Sequence, residues 1–423
     1  MIKTSLINIM LRGLTLISKF ILLIYIASYL TPAELGIYGL VSVSIAISLY
    51  LLGMDFYTFN TREIIAQTEE CCTPLIRDQL VFHALVYLIV LPLLLILFIF
   101  KFIAWQYIGW FYVLLILEHL SQESHRLLIT LSRPTMANIV LFLRSGIWVY
   151  AVIAAGYFYR DSRTLQCIWA LWCVGAMLCV TMTAVSLRHL SWRETLNVSI
   201  NWGWLKKGFK GALPFFGATM ALLGVQYADR FFIQSYHGED MVGFYTFYAN
   251  IANVIQTFVF TGVISILYPK VIDAFQKRNY ENYRLLMRKL IGGVLVGTAV
   301  LALGLALAIG PLLKVVKKSV YADYLPVFWI LIIAVSILAI SFIPHYGLFV
   351  RHKDKQIFLS TVIAVVVSLS LNFFLVPVYG ITGAAYSGLT GYSLLLVLKL
   401  YYLRRYRDCR PAKIGDERRE VML

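Results

Sequence analysis

Residues 78–100 read DQLVFHALVYLIVLPLLLILFIF, and after Asp78 this stretch contains no Asp, Glu, Lys or Arg. A helix of about 20 mostly apolar residues is long enough to cross the hydrocarbon core of a bilayer. The whole chain follows this pattern, because 60% of its 423 residues are hydrophobic and only 14% are charged. Soluble domains are usually about 45–50% apolar and about 25% charged. The composition therefore predicts a polytopic helical membrane protein and argues against a cytosolic enzyme, a secreted domain and a disordered scaffold.

Twelve stretches of this kind are separated by short polar turns, for example Thr31-Pro32-Ala33-Glu34. The runs are long and continuous, and they lack the alternation of a transmembrane β-barrel. We therefore predict an all-α fold with twelve transmembrane helices. Their predicted limits are 6–30, 36–57, 78–100, 103–126, 136–158, 165–187, 209–235, 242–266, 286–312, 324–349, 357–376 and 380–403.

The distribution of basic residues predicts the orientation of these helices. With the amino terminus in the cytoplasm, 26 Lys and Arg lie on the cytoplasmic side, six on the opposite side and five deeper inside the spans. The cytoplasmic count includes four residues at the cytoplasmic ends of predicted spans, Arg126, Lys210, Arg288 and Lys289. Because basic residues collect in cytoplasmic loops, both termini are predicted to be cytoplasmic. The same bias explains most of the net charge of +16, so we expect no nucleic acid partner. The first span is too long for a signal peptide and contains Arg12 and Lys19, so we expect it to stay in the mature protein.

The longest predicted loop joins the sixth and seventh spans and divides the chain into two lobes of six helices. Leu35-Gly36-Ile37-Tyr38, at the start of the second span, is echoed by Val242-Gly243-Phe244-Tyr245 at the start of the eighth. Two parallel six-helix repeats are common in secondary transporters. We predict an amino-terminal lobe, a linker along the cytoplasmic interface, a carboxy-terminal lobe and a basic tail. The predicted limits of these four parts are 1–188, 189–208, 209–403 and 404–423.

Soluble catalytic machinery is not indicated by any motif. The chain contains no G-x-x-x-x-G-K-[ST], H-E-x-x-H or G-x-S-x-G pattern, and its six cysteines form no C-x-x-C pair. Such patterns would indicate a P-loop, a metalloprotease, a serine hydrolase, and a zinc or redox site. We therefore expect a protein that is not an enzyme, that uses no cofactor or metal, and that acts within its spans.

Basic residues inside the spans are the first candidates for a binding site. A charged side chain at the bilayer centre costs roughly 2.5–3.5 kcal/mol on insertion scales. Arg12 and Lys19 share one face of the first helix, and Arg144 lies deep in the fifth. We predict that these three cations line a cavity that binds an anion. Two alternatives stay open: Arg12 extends to the cytoplasmic headgroups, and Arg144 forms an ion pair with Glu118 or Glu123.

Acidic residues inside the spans are candidates for ion coupling, which requires a carboxylate that can exchange its cation or proton. Glu118 is the deepest of them, and Glu123 and Asp55 lie closer to the cytoplasmic side. Asp229 and Arg230 are adjacent near the external end of the seventh span, and adjacent residues on a helix point in different directions. We predict that they form a gate or ion pairs with other helices.

Three stretches resemble a known family of transporters. Tyr227-Ala228-Asp229-Arg230-Phe231-Phe232-Ile233 followed by Val242-Gly243-Phe244-Tyr245 resembles the region between the seventh and eighth spans of polysaccharide-transport flippases. Leu30-Thr31-Pro32-Ala33-Glu34-Leu35-Gly36-Ile37-Tyr38 resembles their first external turn, and Arg133-Pro134 after the fourth span is also similar. These flippases belong to the multidrug/oligosaccharidyl-lipid/polysaccharide exporter superfamily. Twelve spans favour this branch over the relatives that flip the peptidoglycan precursor, which usually have fourteen.

The resemblance implies a Wzx-type O-antigen or capsule flippase in a bacterial cytoplasmic (inner) membrane. Such proteins move an undecaprenyl-pyrophosphate-linked oligosaccharide between leaflets by alternating access of two six-helix lobes, coupled to an ion gradient. The expected partners are that lipid-linked oligosaccharide, membrane lipids, a polysaccharide polymerase and a chain-length regulator. The resemblance does not say which polysaccharide is made or which ion is coupled.

Other functions of polytopic proteins stay open at this stage. A multidrug or metabolite exporter of the same fold is the main alternative, although a cationic cavity would repel cationic drugs. An O-antigen polymerase or ligase is disfavoured, because such proteins resemble one another in a large external loop and the external segments here are short. A structural scaffold would have no use for a residue such as Lys19 at mid-membrane depth.

Overall fold

The computed structural model of the chain describes residues 2–67, 72–190, 192–195 and 197–406. These residues form sixteen α-helices, and no strand occurs within the described ranges. The predicted basic tail lies outside the described residues from position 407 onward.

The helices follow one another closely along the chain. In the first half they are α1 (Ile2–Tyr29), α2 (Pro32–Gly53), α3 (Tyr57–Ile65), α4 (Thr73–Leu93), α5 (Ile96–Ile99), α6 (Ile108–Thr130), α7 (Pro134–Phe142), α8 (Trp148–Phe158), α9 (Leu165–Ser186) and α10 (Trp192–Thr195). In the second half they are α11 (Trp202–Val259), α12 (Ser265–Gln276), α13 (Tyr280–Val316), α14 (Val320–Asp323), α15 (Leu325–Phe349) and α16 (Asp354–Arg405). Two π turns, Leu143–Ile147 and Phe260–Ile264, continue α7 into α8 and α11 into α12.

The described helices account for the twelve predicted spans. Nine helical stretches in the described ranges are long and apolar enough to cross a membrane. Two of them are bent at a glycine with non-helical backbone, Gly238 in α11 and Gly380 in α16, and each therefore supplies two spans. The twelfth is α6, whose 23 residues include Glu118 and Glu123 among apolar neighbours. The prediction of an all-α polytopic membrane protein is confirmed.

The external turn between the first two spans forms as its sequence predicts. The Thr31 hydroxyl accepts a hydrogen bond from the backbone N–H of Glu34, and the Glu34 carboxylate accepts one from the N–H of Thr31 at 2.8 Å. This reciprocal capping box, with Pro32 in the first helical turn, starts α2 directly after α1. At the turn inside α11, Gly238 has a φ of 79°, a left-handed conformation that favours glycine.

The chain divides into two compact units. The first comprises Met1–Leu223, Arg230–Phe247 and Lys314–Ser319, and the second comprises Gly224–Asp229, Tyr248–Leu313 and the chain from Val320 onward. Leu128, Val140 and Cys179 belong to a buried apolar cluster of the first unit. A corresponding cluster of the second unit is formed by Val225 on α11 and by residues of the last three spans. The predicted limits of the lobes stay a prediction.

Residues of the predicted linker are held against the start of α4 in the first unit. The Arg77 guanidinium donates to the carbonyl oxygens of Thr195 at 2.5 Å and Ser199 at 3.2 Å, and Asp78 accepts from the N–H of Asn201 at 3.0 Å. Next to this anchor, Trp204 packs in an apolar cluster with aromatic residues of the second and third spans. The linker is therefore anchored through its backbone, which its own side chains did not predict.

Candidate functional site

The predicted cation Arg144 is paired with the predicted carboxylate Glu118 across two helices of the first unit. The Arg144 Nη2 and Nε atoms lie 2.5 and 2.7 Å from Glu118 Oε2. The other carboxylate oxygen, Oε1, accepts a hydrogen bond of 2.6 Å from the Trp172 indole N–H. Of the two partners left open for Arg144, the structure shows Glu118.

A π turn places Arg144 toward α6. Arg144 lies in Leu143–Ile147, where the helix takes one extra residue per turn, and such π bulges are frequent at functional sites. The Trp148 indole N–H donates to the Arg144 carbonyl oxygen at 2.9 Å. A Cβ on Gly175 would lie 2.7 Å from the Leu143 carbonyl oxygen, so this glycine allows α9 to approach the turn closely. A short-range distortion, which the apolar pattern does not reveal, therefore sets the direction of the guanidinium.

Lys19 lies within electrostatic range of the Arg144–Glu118 pair. It is repelled by Arg144 and attracted by Glu118. Within the described part of the chain, Lys19 has no hydrogen bond or ion pair, and its side chain is exposed on the surface of the protein chain. Glu118 is already engaged by Arg144 and Trp172, so Lys19 has no ion-pair partner among the described residues.

Arg12 lies two turns before Lys19 on α1 and has a neutral partner. Its Nε donates to the Asn138 side-chain oxygen on α7 at 2.9 Å. Thr15, between the two cations, is buried, and its hydroxyl donates a hydrogen bond to the Leu11 carbonyl oxygen. We call Arg12, Lys19, Arg144 and Glu118 the cationic cluster. Three cations and one carboxylate leave it with a formal charge of +2.

The other two predicted coupling residues belong to a second polar group. Glu123 Oε1 forms an ion pair of 2.6 Å with Arg126, and Glu123 Oε2 accepts from the Gln79 amide at 2.7 Å. The Arg126 guanidinium stacks 3.7 Å above the ring of Tyr57. Asp55 interacts electrostatically with both Glu123 and Arg126. We call Asp55, Glu123 and Arg126 the carboxylate cluster.

A small open pocket adjoins the carboxylate cluster, with about 220 Å³ of empty space including its mouth. Its polar lining includes Asn60, Gln79, Glu123, Arg126 and Thr130. The Asn60 amide N–H donates to the Gln79 side-chain oxygen, which fixes the orientation of both amides. The pocket gives water access to this side of the cluster, since polar lining groups can hold ordered water.

Two buried histidines beside this cluster were missed as functional candidates. The rings of His83 and His119 meet edge to face with centroids 4.8 Å apart, and His119 Nδ1 lies 2.7 Å from the Tyr87 hydroxyl. The Nε2 atoms of both histidines are buried and lack a hydrogen-bond partner. The signal in the sequence was the imidazole of His83 inside an otherwise uncharged span.

The two motifs that echo each other in the sequence lie in contact within the first unit. A Cβ on Gly36 would come closer than 3.0 Å to the carbonyl oxygen of Glu239, and a Cβ on Gly243 would do the same to that of Pro32. The contact is reciprocal, because each glycine faces the carbonyl four residues before the other. Lys318 donates to the Leu30 carbonyl oxygen near the same turn.

The predicted gate residues Asp229 and Arg230 are both buried. The Arg230 guanidinium lies 5.4 Å from the ring centre of Tyr245, which follows Gly243 in the second motif. A gating role for either residue stays a prediction. Among the described residues, no group of three or more His, Cys, Asp and Glu could hold a metal ion.

Comparison with known proteins gives a likeness in structure and none in sequence. No family model and no curated protein matches the chain. A structure described as the inward-facing conformation of a multidrug resistance MATE family transporter of the MOP superfamily superposes with a TM-score of 0.73, covering 93% of this chain and 94% of that chain at 15% identity. The chain has the MATE transporter fold.

Two further MATE structures extend the likeness. The outward-facing conformation of a multidrug resistance MATE family transporter has a TM-score of 0.60 over 95% of this chain and 94% of that chain, at 14% identity. A Vibrio cholerae MATE transporter also has a TM-score of 0.60, over 97% and 99% of the two chains at 13% identity. At such identities the comparison shows the fold and does not transfer residue roles.

The MATE fold confirms the prediction of twelve helices in two lobes and a multi-pass membrane protein. The structural neighbours are transporters, which is consistent with the prediction that the protein is not an enzyme. The MOP superfamily is the one to which the sequence resemblance points. The Wzx-type branch, the inner membrane and the roles of the site residues stay predictions.

Proposed function

We propose that the protein is a flippase that moves undecaprenyl-pyrophosphate-linked oligosaccharide units across a bacterial inner membrane, by alternating access and with coupling to an ion gradient, for O-antigen or capsule synthesis. The observation that carries this proposal is the formal charge of +2 on the cationic cluster. A pyrophosphate esterified at both ends carries two negative charges. The cluster therefore matches the charge of the one substrate group that every such lipid-linked unit shares.

The arrangement of the cationic cluster suits an anion that binds and leaves. Attraction between charges is stronger in a low-dielectric site than in water. Lys19 has no acidic partner to displace, and Arg12 has only the neutral Asn138. Arg144 is held by Glu118 and keeps one face of the site in place. The polar sugars need a hydrated path, whereas the lipid can stay within the bilayer.

The fold supports the transport step of this proposal. MATE transporters have been solved in inward-facing and outward-facing conformations. An equivalent exchange in this chain would expose the cationic cluster first to the cytoplasm and then to the opposite side. The polymerase and the chain-length regulator would then receive the unit on the outer face.

The first experiment is deletion of the gene followed by analysis of lipid-linked intermediates by membrane face. We expect single repeat units to accumulate on the cytoplasmic face and surface polysaccharide to be lost. Re-expression of the Lys19→Gln variant should restore at most about one tenth of the surface polysaccharide that the wild-type gene restores. Lys277→Gln, which removes an exposed cation far along the chain, should restore it fully. Normal delivery of units to the outer face in the deletion strain would contradict the proposal.

Export of drugs or metabolites is the second candidate, and the MATE fold itself is the observation that favours it. A drug-susceptibility panel on the same deletion strain separates the two functions. Increased susceptibility with unchanged polysaccharide would favour the exporter. Unchanged susceptibility with lost polysaccharide would favour the flippase.

A further inference from the structure

The last part of α16 carries a lysine at a buried position of the second unit. Lys399 lies one turn before the end of the predicted twelfth span, and only 4% of it is exposed. A lysine near the end of a span usually extends its ammonium group to the headgroup region. The low exposure of Lys399 shows that neighbouring side chains cover it instead. Lys399 is therefore a buried basic residue of the second unit, separate from the cationic cluster.

The packing of α16 against α15 shows which way Lys399 faces. A Cβ on Gly347, in the last turn of α15, would lie 2.9 Å from the Leu403 side chain. Leu403 follows Lys399 by four residues, so both lie on the same face of α16. His345, two residues before Gly347, is within electrostatic range of Lys399. The ammonium group and the imidazole are thus neighbours at the contact between these two helices.

No acidic side chain compensates Lys399. Among the described residues it forms no hydrogen bond or ion pair, and no carboxylate is within electrostatic range of its ammonium group. Asp273, an acidic residue of the same unit, is paired with the exposed Lys277. Buried charges in proteins are usually compensated, because an isolated ion loses its hydration without a replacement. Lys399 must therefore either bind an anion or lose its proton.

His345 provides a second hydrogen-bond donor beside the ammonium group. Its Nδ1 atom is buried and has no hydrogen-bond partner, so it does not bond to Lys399. The ring packs against Phe342, Tyr346 and Phe349 of its own helix, which supply no acceptor for Nδ1. Loss of the proton from Lys399 would leave both nitrogens without a partner. One anion accepts a hydrogen bond from Nζ and another from an Nδ1–H at the same time.

The charge and enclosure of this place favour a small monovalent anion. One ammonium group balances one negative charge, so a doubly charged phosphate or sulfate would leave an uncompensated charge. A phosphodiester headgroup of a lipid is also monovalent, but the low exposure of Lys399 leaves it little access. A halide ion is spherical, accepts hydrogen bonds from any direction and has no donor of its own to satisfy.

We propose that Lys399 Nζ and His345 Nδ1 form a binding site for one chloride ion between α15 and α16. The ion is held by the ammonium charge and by two N–H donors, in a low-dielectric place where such attraction is strong. It joins the carboxy-terminal ends of the two helices within the second unit. The site does not rest on the proposed function and differs from the anion site of the cationic cluster in the first unit.

Binding of radiolabelled chloride to the purified full chain tests the site without any transport substrate. The protein is first exchanged into sodium gluconate. The wild type should then bind one chloride ion that Lys399→Met does not bind. An apolar side chain in place of a buried charge is often tolerated, so this variant should fold. Lys277→Gln, which removes an exposed lysine, is the matched control and should bind as the wild type does.

The cationic cluster can also attract chloride, so the titration is repeated with Lys19→Gln. The chloride ion that depends on Lys399 should remain in that variant. Equal chloride binding by the wild type and Lys399→Met would overturn the proposal. Loss of all chloride binding in Lys19→Gln would overturn it as well, because the ion would then belong to the cationic cluster.

A second variant keeps the result decisive if Lys399→Met does not fold. His345→Phe keeps an aromatic ring and removes the Nδ1 donor, so it should weaken chloride binding about tenfold, the effect of one hydrogen bond to a charged group. Replacing gluconate by chloride should raise the unfolding temperature of the wild type more than that of His345→Phe. Unchanged affinity in His345→Phe would overturn the paired site. Stabilisation of the wild type by phosphatidylglycerol and not by chloride would identify a lipid phosphate as the ligand and overturn the halide.

Discussion

At the residue scale, Glu118 determines which cation of the first unit has an ion-pair partner. Its two oxygens are taken by Arg144 and the Trp172 indole, so it cannot neutralise Lys19 by a direct ion pair. Asp55 differs from Glu118, because its buried Oδ2 has no hydrogen-bond partner among the described residues. The physical division is between a carboxylate with both oxygens bonded, Glu118, and one with an unpartnered oxygen, Asp55.

Removing the charge of Glu118 tests this division. Glu118→Gln leaves Arg144, whose side chain is 13% exposed, without its counter-ion. Breaking a buried pair from one side usually costs about 3–5 kcal/mol, and partial exposure of Arg144 places this pair toward the lower end of that range. We expect a marked fall in the thermal unfolding temperature of the purified protein. The double variant Glu118→Gln with Arg144→Met should recover a large part of that loss, because it removes the uncompensated charge. Equal unfolding temperatures for wild type and Glu118→Gln would show that the Arg144–Glu118 pair does not contribute to the stability of the folded protein.

The crossing of the second and eighth spans illustrates the scale of the element. Each span begins at a short external turn, and each carries a glycine at the point where the other helix comes closest, Gly36 and Gly243. One turn later, Gly39 faces the Thr246 side chain in the same manner. Helices can approach to backbone contact only where side chains are absent. The repeated glycine therefore sets the distance between these two helices.

Filling this crossing should separate the helices. Gly36→Ala or Gly243→Ala places a methyl group against a carbonyl oxygen, and overpacking typically costs about 1–3 kcal/mol. Gly304→Ala on α13 has nothing within 4 Å of its added methyl group, so it is the matched control. The control should be neutral or stabilising by about 0.5–1 kcal/mol through helix propensity. The unfolding temperatures of the three purified variants are compared with that of the wild type. Equal temperatures for all three variants would contradict close packing of the two helices at Gly36 and Gly243.

The orientation of the whole molecule rests on the distribution of its charges. The basic residues in the loops, in the termini and at the cytoplasmic ends of the spans are divided 26 to 6 between the two sides, and such a bias directs loops to the cytoplasm. The structure is compatible with two cytoplasmic termini, because the described helices form twelve spans. An even number of spans returns the chain to the side on which it starts. The anchor of the linker on Arg77 would then be a cytoplasmic feature.

Cysteine labelling in intact cells tests the orientation. A single cysteine introduced as Lys353→Cys, on the predicted cytoplasmic side, should react with a membrane-impermeant maleimide only after the cells are opened. Lys317→Cys, on the opposite side, should react in intact cells. A cysteine-free background removes the native thiols, of which Cys72, Cys173 and Cys179 are buried. Reversed labelling of the two positions would invert the predicted orientation and the sidedness of Asp55.

The sequence by itself determined the class, the number of spans and the residues worth testing. Apolar length and the distribution of charge are properties of each segment alone, so Arg12, Lys19, Glu118 and Arg144 could be found without a structure. The capping box at Thr31 was likewise predictable, because all its atoms come from four consecutive residues.

Only the tertiary structure decided which charges are paired. Arg144 meets Glu118 because a π turn rotates its helix and Gly175 lets α9 approach, and neither effect has a periodic signal in the sequence. Asp55 joins Glu123 and Arg126 because α2 and α6 pack side by side. The physical reason is general: hydropathy is summed along one segment, whereas an ion pair depends on the distance between segments that are far apart in the chain.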